Sequence, residues 1–291
     1  MLAPSVLPPS RLFAAPRVPF DTEVAVVSAG NVHAVDEAEP AVHYVAAEDD
    51  PEAPRSALIR ETLAYAPEVV AGRVLHHLRA RGVECGLPSR RTVIVEDPAH
   101  AAAMARRLEP AGLRRAALTF WIASASVLAE GPRLDLEPLI GDDAWRAWAT
   151  VEREVLAEAI APVPLTDAIL DRSVQFKRRQ QRDTPPIRRY VGRAAGEPIA
   201  MIGYAPFAQG PLSSGVLVRL RDVAVASAVR RRGLGRALVR AVAARAIAEC
   251  GATHVLICGE SSGAPAALYA GLGARPIAAC TIFQGVLAAG S

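Results

Sequence analysis

The sequence predicts an α/β fold with a mixed sheet, on three observations. Strand-like and helix-like segments alternate along most of the chain. Residues 216–249 run without a break from a β-branched strand pattern through a glycine turn into a helical pattern. At 291 residues and 51% hydrophobic composition the chain can bury a full core, and its length favours two domains over one.

The elements follow in order. Residues 1–20 are proline-rich and lack the basic start and unbroken apolar core of a secretion signal, so they are expected to be a flexible tail. Residues 23–27 and 42–46 are expected as strands, and the acidic, proline-punctuated stretch 49–54 as a loop. Helical periodicity is expected over 56–65 and 68–81, the second run stopped by Gly82. Residues 92–95 form a strand pattern. Asp97 and Pro98 then open an alanine-rich helix to Glu109, where the missing N–H of Pro98 costs nothing in the first turn. A further strand is expected at 118–122.

Gly131 and Pro132 supply turn chemistry between two self-sufficient runs and are the expected boundary between an N-terminal α/β domain, 21–130, and a second domain, 131–291. Beyond it come a strand at 134–139 and an amphipathic helix that opens at Asp142 and Asp143, carries Trp145, Trp148, Val151 and Val155, and is stopped by Pro162 and Pro164. Thr166 and Asp167 cap the next helix, whose far end is basic through Lys177, Arg178, Arg179 and Arg182. Residues 187–191 and 199–204 flank a turn at Gly196 and predict a hairpin. Strand 216–225, helix 236–249, strand 255–258, helix 264–270 and two strands after Gly273 complete the chain. The strand–helix–strand order of 91–121 recurs over 254–283, a faint internal repeat whose alternative is the mutual likeness of alanine-rich helices.

Composition excludes several function classes. A net charge of +3 and few aromatics near the basic residues argue against nucleic acid as a partner. Cys85, Cys250, Cys258 and Cys280 show neither zinc-ligand nor disulfide spacing, so no metal is expected. No run is long and apolar enough for a membrane span, and the expectation is a cytoplasmic protein without a membrane partner. Lys177 is the only lysine, so arginine carries nearly all positive charge and is weak evidence of a site wherever it occurs. His76 and His77 are adjacent on a helix and diverge, which suits neither zinc nor a relay. His254 is expected as a packed histidine.

The turn Arg230, Arg231, Arg232, Gly233, Leu234, Gly235, Arg236 stands apart. The first amides of a helix have no intrahelical acceptor and carry the positive end of its dipole, so an oxyanion placed there satisfies both. Glycine lets the backbone approach that anion, and arginine adds charge-assisted donors. A solvated arginine turn is the alternative. The third glycine of the dinucleotide fingerprint and the Gly-Lys-Ser/Thr ending of the Walker loop are both absent.

From residue 134 to the end the chain resembles the GNAT superfamily of N-acetyltransferases, which implies a mixed, mostly antiparallel sheet flanked by helices. In that family an Arg/Gln-x-x-Gly-x-Gly/Ala turn after the fourth strand holds the pyrophosphate of acetyl-CoA, and Arg230 to Gly235 match it. The resemblance implies coenzyme contacts from Val223, Ala224 and Val225, from the turn and first helical turn through Leu234, Arg236 and Ala237, and from Ser262, where family members often have asparagine. Ala274 stands where they often have phenylalanine. The N-terminal domain resembles the family only through the faint repeat, as a degenerate copy whose region 64–72 has no glycine pair or arginine triplet.

The resemblance implies acetyl transfer from acetyl-CoA to a primary amine of a small molecule or a peptide. A non-catalytic acyl-CoA-binding or regulatory module is the alternative, and the chain is expected as a monomer or homodimer. Tyr269 resembles the family's general acid for the departing thiolate; a half-buried helix tyrosine is the alternative. An unpaired backbone N–H at a bulge near Val225 would polarise the thioester carbonyl. Asp222 and Glu260 are the candidate bases, although Asp222 could instead pair with an arginine, and a water chain could replace either.

Overall fold

The computed structural model describes residues 32–35, 41–46, 55–59, 63–79, 90–161, 164–182, 186–208 and 215–287. The strand expected at 23–27, the acidic loop 49–54 and Cys85 lie outside the described residues. Those residues divide into two compact units, one of residues 119–278 and one of 32–118 with 279–287. The contact boundary thus precedes Gly131 and Pro132, which fall inside the first of these units.

The second-named unit is built on β1 (Val32–Val35), β2 (Val42–Ala46), β3 (Arg55–Ile59), β4 (Arg90–Val95) and the last part of β11 (Arg275–Val286), in the order β1-β2-β3-β4-β11. β3 and β4 are parallel, and the other three neighbours are antiparallel. Helices α1 (Pro67–Arg79) and α2 (Pro98–Leu108) cover the sheet through Val70, Val74, Leu78, Met104 and Leu108. Asp97 caps α2 as expected, its carboxylate accepting from the amides of Ala99 and His100 at 2.6 and 3.2 Å.

Two expectations fail in this unit. The helix expected over 56–65 is instead strand β3 at its start. Ser56, Ala57, Leu58 and Ile59 are all buried in a parallel pair, and a strand buried on both faces loses the alternation that distinguishes it from a helix. The two strands expected after Gly273 are one strand, β11. Gly285 does not break it but permits close packing, since a Cβ there would lie 2.5 Å from the carbonyl oxygen of Gly112.

The other unit has the order β5-β10-β9-β8-β7-β6, comprising β5 (Arg114–Ser124, from residue 119 on), β6 (Asp135–Pro138), β7 (Arg188–Ala194), β8 (Glu197–Ala208), β9 (Val216–Val225) and β10 (Ala252–Glu260). β6 through β9 pair antiparallel, and β9 and β10 are parallel. One sheet face carries α3 (Ala125–Leu128), α6 (Leu234–Cys250) and α7 (Gly263–Ala270), packed through Leu128, Leu238, Val242 and Tyr269 onto Val218, Leu220, Val255 and Ile257. The opposite face carries α4 (Gly141–Ile160) and α5 (Asp167–Gln180), whose Trp145, Trp148, Val151, Leu170 and Val174 meet Val191 and Met201.

The last turn of α6 is tied to β7 and β8 by Glu249. Its carboxylate accepts from the hydroxyls of Tyr190 and Tyr204 at 2.6 and 2.8 Å and from Arg188 at 2.9 Å. Both tyrosines are buried, so Glu249→Ala removes their shared acceptor. The variant is expected to lose about 2–4 kcal/mol of unfolding free energy, read from urea denaturation. A loss below about 0.5 kcal/mol would show that the hydroxyls find other partners.

The same run of elements occurs twice along the chain: a parallel pair joined by a helix, then a helix and a strand. The first is β3-α1-β4-α2-β5, and the second is β9-α6-β10-α7-β11. The final strands do not stay with their own run. β11 pairs with β4, and β5 lies beside β10.

Candidate active site

Strand β9 carries the sequence Val-Leu-Val-Arg-Leu-Arg-Asp-Val-Ala-Val, and its pairings change along its length. Against β8 the register shifts between Arg221↔Gly203 and Ala224↔Met201, so Asp222 and Val223 both stand opposite Ile202. This is a β-bulge, with Asp222 at φ 54°, a left-handed conformation that aspartate tolerates better than most residues. A bulge takes a backbone amide out of the ladder. It lies at Asp222 and Val223, ahead of the position near Val225 expected from sequence. On the other edge, pairing with β10 runs from Val216↔Ala252 to Arg219↔Leu256, while β9 continues to Val225 and β10 to Glu260. The strands therefore part after Arg219, three residues ahead of Asp222.

The bulge is anchored from the α4–α5 face. The Asp222 carboxylate accepts from Arg189 Nε at 2.8 Å, and the same guanidinium donates to Gln180 Oε1 at 2.6 Å and to the Lys177 carbonyl at 2.9 Å. Lys177 in turn pairs with Glu152, which also accepts from Ser173 Oγ at 2.7 Å. Burial penalises the charged form of Asp222, but Arg189, Lys177 and Arg221 outweigh it and hold the carboxyl at about 2, against an ordinary 3.8. A folded value below the unfolded one stabilises the protein above about pH 4 and is lost as pH falls toward 2. Arg189→Met leaves that carboxylate buried and unpaired, and is expected to cost about 3–5 kcal/mol at neutral pH. Urea denaturation at pH 7 and pH 3 checks this. The deficit should shrink at the lower pH, where Asp222 of the variant has lost its cationic partner and is protonated; an equal deficit at both would contradict it.

After Val225 the chain makes a short 3-10 turn, Ser227–Val229, and enters the cradle. Ser227 donates its N–H and Oγ–H to Glu154 at 2.8 and 2.9 Å. Arg230 bonds the Val225 carbonyl through Nε at 3.0 Å and pairs with Glu158 at 3.0 Å. Two left-handed residues then curl the backbone, Arg231 at φ 64° and Gly233 at φ 78°. Helical hydrogen bonding begins with the amides of Arg236 and Ala237, which donate to the Gly233 carbonyl at 3.1 and 3.2 Å. The amides immediately ahead of Arg236 precede that ladder and sit at the positive end of α6.

Neither glycine is there to relieve a clash within the protein. A Cβ on Gly233 would meet nothing within 4 Å, and one on Gly235 only Leu268 at 3.4 Å. The space beside the turn is open, and Gly233 is required by its φ. Arg231 and Arg232 are exposed beside it, while the Arg236 guanidinium lies over Gly271, where a Cβ would come within 2.7 Å of it. Leu234 and Ala237 are half-buried; Leu234 packs on the core, and the Ala237 carbonyl accepts from Leu134.

Tyr269 is buried on α7 at 5% exposure. Burial pushes its hydroxyl up to about 12, with Arg219 opposing and Cys258 adding to the shift. Gly259 on β10 makes room for the ring, since a Cβ there would lie 2.7 Å from Tyr269 Cε2. The ring of Trp121 lies 6.5 Å away, tilted by 51°. Val223, Ala224 and Val225 are half-buried on the parted section of β9. Glu260 is exposed at the end of β10, and exposed Ser262 begins α7 with extended backbone and no capping bond from its side chain. His254 is only half-buried, its Nδ1 3.2 Å from Thr253 Oγ1. Among the described residues no group of histidine, cysteine and carboxylate side chains could hold a metal, and no helix is long and apolar enough to cross a membrane.

Sequence reasoning missed the Arg189–Lys177–Glu152 network and the Trp121–Gly259 surround of Tyr269. Nothing local marks either, because each joins residues far apart in the chain.

Residues 148–274 match the family model described as "Acetyltransferase (GNAT) family". No curated protein matches the sequence. Among solved structures, the chain is similar to a conserved protein of unknown function from Staphylococcus epidermidis, with 10% identity and a TM-score of 0.62 over 89% of this chain and 96% of that one. It is also similar to a GCN5-related N-acetyltransferase from Kribbella flavida, with 15% identity and a TM-score of 0.50 over 93% of this chain and 95% of that one. At these identities the likeness shows the fold: a mixed α/β architecture with a mostly antiparallel sheet flanked by helices.

Proposed function

We propose that this protein, whose residues 148–274 are a domain of the GNAT acetyltransferase family, transfers an acetyl group from acetyl-CoA directly to a primary amine of a small molecule or peptide. The observation that carries the proposal is the coincidence of three features on consecutive elements. They are the strands that part after Arg219 and Leu256, the bulge at Asp222 and Val223, and the amide cradle ahead of Arg236.

The cradle amides, with Arg231 and Arg232, would take the pyrophosphate, and the parted section of β9 through Val225 would take the pantetheine arm. The backbone amide freed by the bulge would polarise the thioester carbonyl. The neutral amine attacks that carbon, the C–S bond breaks, and the sulfur takes the electron pair and then a proton from the Tyr269 hydroxyl. The proton lost by the amine returns through water to the phenolate, so the products are an amide and the free thiol. A phenol held at about 12 is protonated throughout the neutral range. A thiol of ordinary pKa ~8.5 would be a weak match for it, but the same desolvation raises the pKa of a buried thiolate and narrows the gap.

Asp222 is proposed as an anchor of the bulge rather than the base, because its pairing with Arg189 makes it a poor proton acceptor at neutral pH. Glu260 is exposed and is the candidate side chain to relay the amine's proton along that water path. The unit of β1 to β4 is proposed to be a degenerate copy of the same fold, supported by its repeated order of elements, with no glycine pair or arginine triplet in the sequence of residues 64–72. The protein is proposed to act in the cytoplasm as a monomer or homodimer.

The test is coenzyme-dependent thiol release against a panel of primary amines, with calorimetry of acetyl-CoA alongside. Release with at least one amine is expected. Binding with no release across the panel would favour a non-catalytic acyl-CoA-binding module, and no binding at millimolar coenzyme would refute both readings.

A further inference from the structure

We infer that Trp121 is a positioning residue for Tyr269, and that with Gly259 it forms the seat that holds the phenol at the parted strands. The inference rests on the acetyltransferase reading, in which Tyr269 is the acid. It adds a residue that lies outside the segment 148–274 matched by the family model and ahead of Gly131 in the chain.

Strand β5 lies beside β10, so the chain ahead of Gly131 lines the edge of the strand that carries Gly259. Trp121 is 8% exposed and belongs to the same buried cluster as Tyr269, Leu272 and Ile257. Its ring stands 6.5 Å from the Tyr269 ring at 51°, within the range of tilted aromatic pairs that are attractive beyond their buried area. From the strand side Gly259 closes the seat, because any Cβ there would displace the tyrosine ring. Thr119, two residues before Trp121, donates to Ser261 Oγ at 2.8 Å and so ties β5 to the loop that leads into α7. Seat and helix entry are thus fixed by the same strand. The direction of the ring axis sets where the phenol oxygen lies, and the hydroxyl then rotates to suit its acceptor. The seat fixes that direction, and the exclusion of water there is also what raises the hydroxyl to about 12.

The test uses the full chain in four variants, Trp121→Ala, Trp121→Phe, Gly259→Ala and Tyr269→Phe, each checked for folding by urea denaturation. Trp121→Ala is expected to lower kcat by ~10²-fold, the cost of misplacing a catalytic group by about 1 Å, with the acetyl-CoA dissociation constant changed less than about threefold. Its kcat should also fall above about pH 10, because the hydroxyl is newly wetted and returns toward its ordinary value. Trp121→Phe should restore most of the rate by restoring the ring. Combining Trp121→Ala with Tyr269→Phe should cost little more than Tyr269→Phe alone, since a residue acting through Tyr269 has nothing left to position.

If Trp121→Ala does not fold, Gly259→Ala carries the same expectations of rate, affinity and non-additivity. Full additivity with Tyr269→Phe, or an impaired Tyr269→Phe beside a fully active Trp121→Ala, would overturn the inference while leaving the acetyltransferase reading intact. A wild-type protein without thiol release, or a fully active Tyr269→Phe, would overturn the reading of Tyr269 itself.

Discussion

Tyr269→Phe is expected to lower kcat for acetyl transfer by about 10²–10⁴-fold, the span that a positioned general acid contributes, with the affinity for acetyl-CoA nearly unchanged. The ring remains in its seat against Trp121 and Gly259, so only the proton is lost. The sign with pH follows from the raised hydroxyl value. The acid is competent below about 12 and lost above it, so wild-type kcat should show no alkaline limb from Tyr269 across the neutral range. Steady-state rates and calorimetry on the same preparation check both parts. A loss of coenzyme affinity comparable to the loss of rate would assign Tyr269 to binding or packing.

Gly233→Val is expected to have the next largest effect, on binding rather than rate. At φ 78° a β-branched residue costs about 1–3 kcal/mol of backbone strain, and relief of that strain turns the cradle amides away from a common centre. The open space beside the turn would also be filled by the new side chain. Affinity for acetyl-CoA should fall by about 10–100-fold if about 1.4–2.8 kcal/mol of the phosphate contacts is forfeited. Gly196→Val is the control. Gly196 has φ 86°, and a Cβ there would likewise meet nothing within 4 Å, but it lies in the β7–β8 turn, so the change should cost stability without moving coenzyme affinity. Equal affinity losses in the two variants would show that Gly233 acts through global stability alone.

The legible parts of the fold were those where local chemistry and tertiary structure agree. Residues 216–225 are strand from end to end, Asp97 and Pro98 open a helix, and Gly233 takes the left-handed backbone that only its lack of a Cβ makes easy. Residues 55–59 were not legible, because Ser-Ala-Leu-Ile carries no periodicity and only its burial beside β4 makes it a strand. The continuity of β11 was not legible either, since nothing local in residues 275–286 marks one strand rather than the expected two.

Within the candidate site the same division holds. The turn announces itself because its amides, glycines and following helix are contiguous. The partner of Asp222 does not, since Arg189 lies 33 residues earlier on a different strand, and several nearby arginines would read equally well from sequence. The arginines themselves separate by their contacts. Arg230 is committed to Glu158 and the Val225 carbonyl, while Arg231 and Arg232 are exposed beside the turn, so in the proposed anion site the backbone amides would carry more than the arginine count implies.

A crystal structure of the protein grown with millimolar acetyl-CoA tests the central claim most directly. The pyrophosphate should lie against the amides between Arg231 and Arg236, with the pantetheine arm along β9 between Arg219 and Val225 and the sulfur nearest Tyr269. Coenzyme bound elsewhere on the protein, with the turn at Gly233 and Gly235 in contact with solvent alone, would contradict it.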